Sequence, residues 1–142
     1  MISTKRFTPD DADFINAPPT SKEDIIYNYE LKEFGFVTIF KDKNILGIAG
    51  VKCIHRFASE FYFIPDVVNI KKYNKSLHRE IKRLISEFIK NTKQKRYQIW
   101  VDDGFPHKEK WAKVLGFTEE AKIKSIGPEG QDQYLYSRLE NV

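Results

Sequence analysis

The chain has 142 residues, of which 41% are hydrophobic and 14% aromatic, with a net charge of +4. That length fits one domain rather than two, and the aromatic content excludes a disordered chain. Cys53 is the single cysteine, no apolar run approaches the ~18 residues of a membrane span, and the start MISTKRF does not read as a signal peptide, so a disulfide scaffold and a membrane protein are excluded and a reducing, cytoplasmic setting is expected.

The predicted order opens with a strand ahead of Thr8. Thr8-Pro9-Asp10 reads as an N-cap with proline at the first helical position, starting a short helix over 11–17. Asn16–Ser21 (NAPPTS) interrupts it, and Ser21, Asp24, Ile25, Ile26 and Tyr29 predict a second short helix to about Lys32. Phe36–Phe40 and Ile45–Ile54 are strands around the polar turn 41–44, hence a hairpin. Glu60–Ile64 is a further strand, antiparallel to the second and ended by Pro65, which cannot donate to a ladder.

From Asn74 the period changes to that of an amphipathic helix, with Leu77, Ile81, Leu84, Ile85, Phe88 and Ile89 on one face. The opposite face is basic. Between Lys71 and Arg96 stand ten Lys and Arg against Glu80 and Glu87, a local charge of +8, so the other 116 residues sum to −4. Such a band either meets an anion (a phosphorylated cofactor, a nucleic acid, an acidic protein surface) or is a solvated helix face. Tyr97–Asp102 alternates as a strand, and 106–115 reads as a short helix closed by Gly116. Phe117–Ile123 and Gln133–Leu139 are the last strands, joined by the turn-rich 127–130. The fold class is α+β, a mixed central sheet flanked by helices in the order β-α-α-β-β-β-α-β-α-β-β.

That order resembles the GNAT-type N-acetyltransferase superfamily over almost the whole chain, implying a single GNAT-like domain over 1–142. Lys113-Val-Leu-Gly-Phe117 is similar to the family's usual end of the fourth helix, and Ile45–Val51 (ILGIAGV) to its third strand. His107-x-x-x-Trp111-x-x-x-Leu-Gly-Phe, followed by Gly127-Pro-Glu-Gly-x-Asp132-x-Tyr-x-Tyr136-x-Arg138, is similar to short GNAT-like proteins of tailed bacteriophages, some of them internal virion proteins. The resemblance implies acetyl-CoA as cosubstrate and a small-molecule or protein amine as acceptor. It implies equally a catalytically silent phage protein that binds virion proteins or nucleic acid, in the host cytoplasm or in the virion.

By the same resemblance, acetyl-CoA lies along Ile64, Val67, Val68, Lys71, Lys72, Lys75 and Ser76. The family's R/Q-x-x-G-x-G/A loop uses glycine so that backbone N–H groups at a helix start can approach the pyrophosphate. The stretch 67–76 (VVNIKKYNKS) holds no glycine, and its three lysines either replace that contact by charge or are solvated. Glu60 takes the place of the family's base at the start of the fourth strand, or is an exposed strand-edge residue; His55 is a second candidate base. The usual tyrosine proton donor is missing, since Ala112 holds its position. His107 and Tyr134, with Tyr136, are the remaining donors, and Asp102 and Asp103 either bind the amine or make a turn.

Lys75, Arg79, Lys82, Arg83 and Lys90 suit phosphate tracking on a nucleic acid, though no zinc-ligand spacing or helix-turn-helix pattern accompanies them. His55, His78 and His107 are scattered, so no metal site is expected, and no G-x-S-x-G elbow is present. Edge strands of an open sheet leave room for a homodimer.

Overall fold

The computed structural model describes residues 2–32, 34–104 and 108–140. Eleven elements follow the predicted order: β1 (Ile2–Arg6), α1 (Pro9–Phe14), α2 (Pro19–Leu31), β2 (Phe34–Lys41), β3 (Asn44–His55), β4 (Ala58–Pro65), α3 (Ile70–Thr92), β5 (Arg96–Asp102), α4 (Lys108–Val114), β6 (Thr118–Ile123) and β7 (Gln133–Leu139). The sheet runs β1-β2-β3-β4-β5-β7-β6. Every neighbouring pair is antiparallel except β4 and β5, whose parallel pairing requires the crossover through α3.

Several boundaries differ from expectation: β4 runs from Ala58 and takes in Pro65, paired with Gly47, the residue expected to end it, and three helix boundaries differ for local reasons. α1 stops at Phe14 because Ile15 is extended (φ −72°, ψ 138°), ahead of a proline pair that disfavours helix before it. α2 begins at Pro19, a residue that needs no N–H partner at a helix start. α3 begins one turn earlier than its apolar period, at Ile70, with a break at Tyr73 (φ −120°, ψ 22°) after which the regular helix resumes at Asn74.

Two apolar layers cover the sheet. On one face α1, α2 and the link between them bring Ala12, Ile25 and Ile15 against Phe7, Phe36, Ile45 and Ile48. On the other, α3 and α4 bring Leu77, Ile81, Ile85, Ala112 and Leu115 against Ile39, Phe61, Ile99, Val101 and Tyr136. Strand alternation sorts β4 accordingly: Phe61 and Phe63 pack toward α3, Tyr62 and Ile64 toward α1 and α2.

The two family-like motifs have physical causes. A Cβ on Gly47 would lie 2.7 Å from the Phe63 ring and 2.9 Å from the Ile64 carbonyl oxygen; one on Gly50 would lie 2.6 Å from the Phe36 ring. Glycine on β3 therefore lets aromatic rings of both flanking strands lie across it. Gly116 (φ +88°) ends α4 in a Schellman turn, with Gly116 N–H donating to the Lys113 carbonyl and Phe117 N–H to that of Ala112, both at 2.9 Å.

Candidate functional site

The parallel ladder between β4 and β5 pairs Ala58 with Arg96, Ser59 with Tyr97, Glu60 with Gln98 and Phe61 with Ile99, and there it stops. β4 continues to Pro65 paired only with β3, and β5 continues to Asp102 paired only with β7. The two central strands thus part beyond Phe61 and Ile99 and leave a mouth in the middle of the sheet.

Glu60 sits one residue below the vertex, on the face of α1 and α2. It is not an exposed edge residue: β4 is a central strand, and Glu60 is half-buried. Its Oε1 accepts hydrogen bonds from Gln98 Nε2 at 2.7 Å and from Trp100 Nε1 at 3.0 Å. On the same face and past the vertex, the Tyr62 hydroxyl donates to Asp24 Oδ2 at 2.8 Å. Burial first, and the Asp24 carboxylate next, push the Tyr62 phenol above its ordinary range, with the Asp102 charge adding to them. Asp102 accepts from Gln133 Nε2 at 2.6 Å and from Gln131 Nε2 at 3.2 Å. Carboxylates from α2, β4 and β5 and the rings of Tyr62 and Trp100 therefore share this side of the sheet.

Tyr134 lies opposite Val101, on the α3 and α4 side, with Lys122 Nζ 5.5 Å from its ring centroid. Glu60 and Tyr134 consequently lie on opposite faces of the sheet, with β5 between β4 and Tyr134. Tyr136 is buried beside it, and its hydroxyl has no hydrogen-bond partner among the described residues. His107 lies outside the described residues. His55 is at the other end of β4 from the mouth, where its Nδ1 accepts from Phe57 N–H at 3.0 Å in the β3–β4 turn. Asp103 makes an ion pair with Lys122 at 3.5 Å.

At the start of α3 most backbone donors are already taken. Val67 N–H donates to the Asn16 carbonyl at 2.8 Å, and Val68 and Asn69 N–H donate to Asp66 Oδ1 at 3.0 and 2.8 Å. Ile70 N–H donates to the Asp66 carbonyl at 2.9 Å, while Lys72 and Tyr73 N–H both reach that of Asn69 at 3.1 Å. The break at Tyr73 then restarts the helix. Lys71, Lys72 and Lys75 stand exposed around this second start, and the half-buried Ser76 lies in its first turn. Three ammonium groups, a hydroxyl and a helix start form a donor set suited to phosphate oxygens, so these residues fit a CoA pyrophosphate by charge. Val67 and Val68 expose 48% and 58% of their surface, whereas Ile64 turns its side chain into the α1–α2 layer.

No protein-family model and no curated protein matches this sequence. Solved structures do match its shape. The ribosomal-protein-S18-alanine N-acetyltransferase from Escherichia coli superposes with a TM-score of 0.74 at 14% identity, over 100% of this chain and 96% of that one. The chain has the GNAT fold. A spermidine N-acetyltransferase chimera from Vibrio cholerae gives 0.67 at 16% identity, over 97% and 95% of the two chains. A ribosomal L7/L12 α-N-protein acetyltransferase in complex with coenzyme A gives 0.69 at 11% identity, over 99% and 94%. Within this GNAT fold, no helix of the described residues is long and apolar enough to cross a membrane, and no group of three His, Cys, Asp or Glu among them is placed to hold a metal ion.

Sequence reasoning missed Asp24, Gln98 and Trp100. The spacing of Glu60 with Tyr62, and of Arg96 with Gln98 and Trp100, carried a signal for the last two, because alternate residues of a strand share a face. Nothing local points from α2 to β4.

Proposed function

We propose that the protein transfers an acetyl group from acetyl-CoA to an amine at the mouth between β4 and β5. The observation that carries this reading is the Glu60 carboxylate, held just below the point where the central strands part. The named activities of the structural neighbours, on spermidine and on ribosomal proteins, support it.

Acetyl-CoA supplies the activated acyl thioester. Lys71, Lys72, Lys75 and Ser76 hold its phosphates, and Val67 and Val68 line its path beside the Ile64 backbone. Glu60 accepts a proton from the acceptor ammonium, so that the nitrogen lone pair is free to form the new N–C bond as the C–S bond breaks. Tyr134 donates the proton taken up by the leaving sulfur, with His107 the second donor by its place in the chain. The second proton that the nitrogen sheds as the amide forms restores that donor through solvent. Asp24 and Asp102 add negative charge on the acceptor side, which favours a cationic amine.

The competing reading is a GNAT fold kept without catalysis, a phage virion component or nucleic-acid binder. The basic face of α3 and the taken backbone donors at its start favour it. Calorimetry with acetyl-CoA, followed by mass spectrometry of spermidine and of a peptide with a free N-terminus, separates the two. Heat on binding and an acetylated amine are expected. No heat and no thermal shift at millimolar acetyl-CoA would overturn the enzyme, and DNA affinity falling log-linearly with salt would then favour the binder.

A further inference from the structure

Residues 96, 98 and 100 of β5 alternate onto the α1–α2 face and form one connected polar chain with Glu60 across the parallel ladder. Glu120 on β6 holds the Arg96 guanidinium at both ends, with Nη1 donating to Oε2 at 2.9 Å and Nη2 to Oε1. Arg96 Nε donates to Gln98 Oε1 at 3.0 Å. A guanidinium has donors only, so the Gln98 amide must turn its oxygen toward Arg96 and its NH2 toward Glu60. Gln98 Nε2 and Trp100 Nε1 then both donate to one oxygen of Glu60, Oε1. Oε2 carries no hydrogen bond among the described residues.

A carboxylate on a flexible side chain has two equivalent oxygens and a broad terminal torsion. Two donors fixed on the same oxygen remove that freedom. Trp100 lies past the vertex, so its indole reaches back to Glu60 and closes the carboxylate against the strand. The other oxygen is not tied by either donor.

We propose that Gln98 and Trp100 are positioning residues, which tether Oε1 of Glu60 and present Oε2 to the acceptor amine, with Arg96 and Glu120 locking the Gln98 amide in its donating orientation. This rests on the acetyl-transfer reading of the same mouth. The proton leaves the amine nitrogen for Oε2 while Oε1 keeps both tethers, so no side chain reorganises during the transfer.

Two measurements test it. In the first, Gln98→Leu, the isosteric Gln98→Glu and Trp100→Phe each lower kcat about 10-fold or more while KM for acetyl-CoA stays unchanged, the loss expected when a base is misplaced. In a Glu60→Gln background the same changes cost nothing further. Equal losses with and without Glu60, or no loss at all, would overturn the proposal. The second measurement needs no activity. The chain has two tryptophans, so the Trp100 indole N–H is readily assigned by NMR, and it is expected to shift in Glu60→Gln and in Gln98→Leu. An indole signal unmoved in Glu60→Gln would end the tether even in an active enzyme. A moved signal in a protein that acetylates no amine keeps the tether and ends the acetyl-transfer reading.

Discussion

Asp66 and Asn16, 50 residues apart in sequence, are joined by three hydrogen bonds: Asn16 N–H donates to Asp66 Oδ2 at 2.9 Å, and Asn16 Nδ2 donates to Oδ1 and Oδ2 at 3.2 and 3.0 Å. The same carboxylate accepts from Val68 and Asn69 N–H in the turn just before α3, and it is 1% exposed. One buried side chain thereby ties the proline-rich α1–α2 link to the turn between β4 and α3. The floor of the proposed phosphate site is a fixed platform for that reason.

Replacing Asp66 with Ala removes the acceptor of five part-buried hydrogen bonds at once. A loss of about 2 kcal/mol is expected, because charged acceptors make the stronger bonds while these donors can partly turn to water. Asp66→Asn keeps an acceptor for the turn before α3 but turns an NH2 toward Asn16, and is expected to fall between. Urea midpoints at constant m-value measure both.

Gly47→Ala sets a methyl group 2.7 Å from the Phe63 ring and 2.9 Å from a backbone oxygen of β4. The ring can shift, the strand cannot, and a destabilisation of about 2 kcal/mol is expected from overpacking. Gly35→Ala is the control. A Cβ there meets nothing within 4 Å, so its melting temperature should stay close to that of the unchanged protein.

Tyr62 makes stability fall in alkali. Its phenol is raised in the folded state by burial and by Asp24, so above the unfolded value near 10 the unfolded chain loses a proton that the native one keeps. The contribution is whole below pH 10 and declines above it, by up to ~1.4 kcal/mol per pH unit. Tyr136, raised mainly by burial, acts in the same direction. Tyr62→Phe should flatten the decline between pH 10 and 12 in urea titrations. An unchanged slope would mean that Tyr62 ionises freely in the native state.

Charge reversal of Lys71, Lys72 and Lys75 to Glu is expected to weaken acetyl-CoA binding at least about 10-fold, since charge replaces glycine at this helix start. All three side chains are exposed, so the melting temperature should hold. Calorimetry reads the first effect and a thermal scan the second. Unchanged affinity would place the pyrophosphate elsewhere.

Much of the fold was legible locally. The apolar spacing from Leu77 to Ile89 marked α3, with its basic face outward, and Gln133–Leu139 was bounded to the residue. Gly116 was read as a helix end and has the positive φ that such an end uses. The early start of α3 was not legible, because the turn before Tyr73 is held by Asp66 and Asn16 rather than by an apolar period of its own. Glu60 was chosen by its resemblance to the base at the start of the family's fourth strand, and the alternative, an exposed strand-edge residue, is set aside by its half-buried place on a central strand.

Periodicity along a chain records which side of each element is apolar, and from that the sequence by itself determined the elements, their order, the two-faced sheet and the concentration of charge on one helix. Turn residues also marked β3 as the neighbour of β2 and of β4, but local pattern cannot record how strands distant in the chain pair or for how many residues. The tertiary structure therefore decided the rest. It set β5 beside β4 for only four residue pairs, brought Gln98 and Trp100 to Glu60 and Asp24 to Tyr62, and moved His55 to the far end of the sheet. A polar side chain takes its role from partners that only register and strand order can supply.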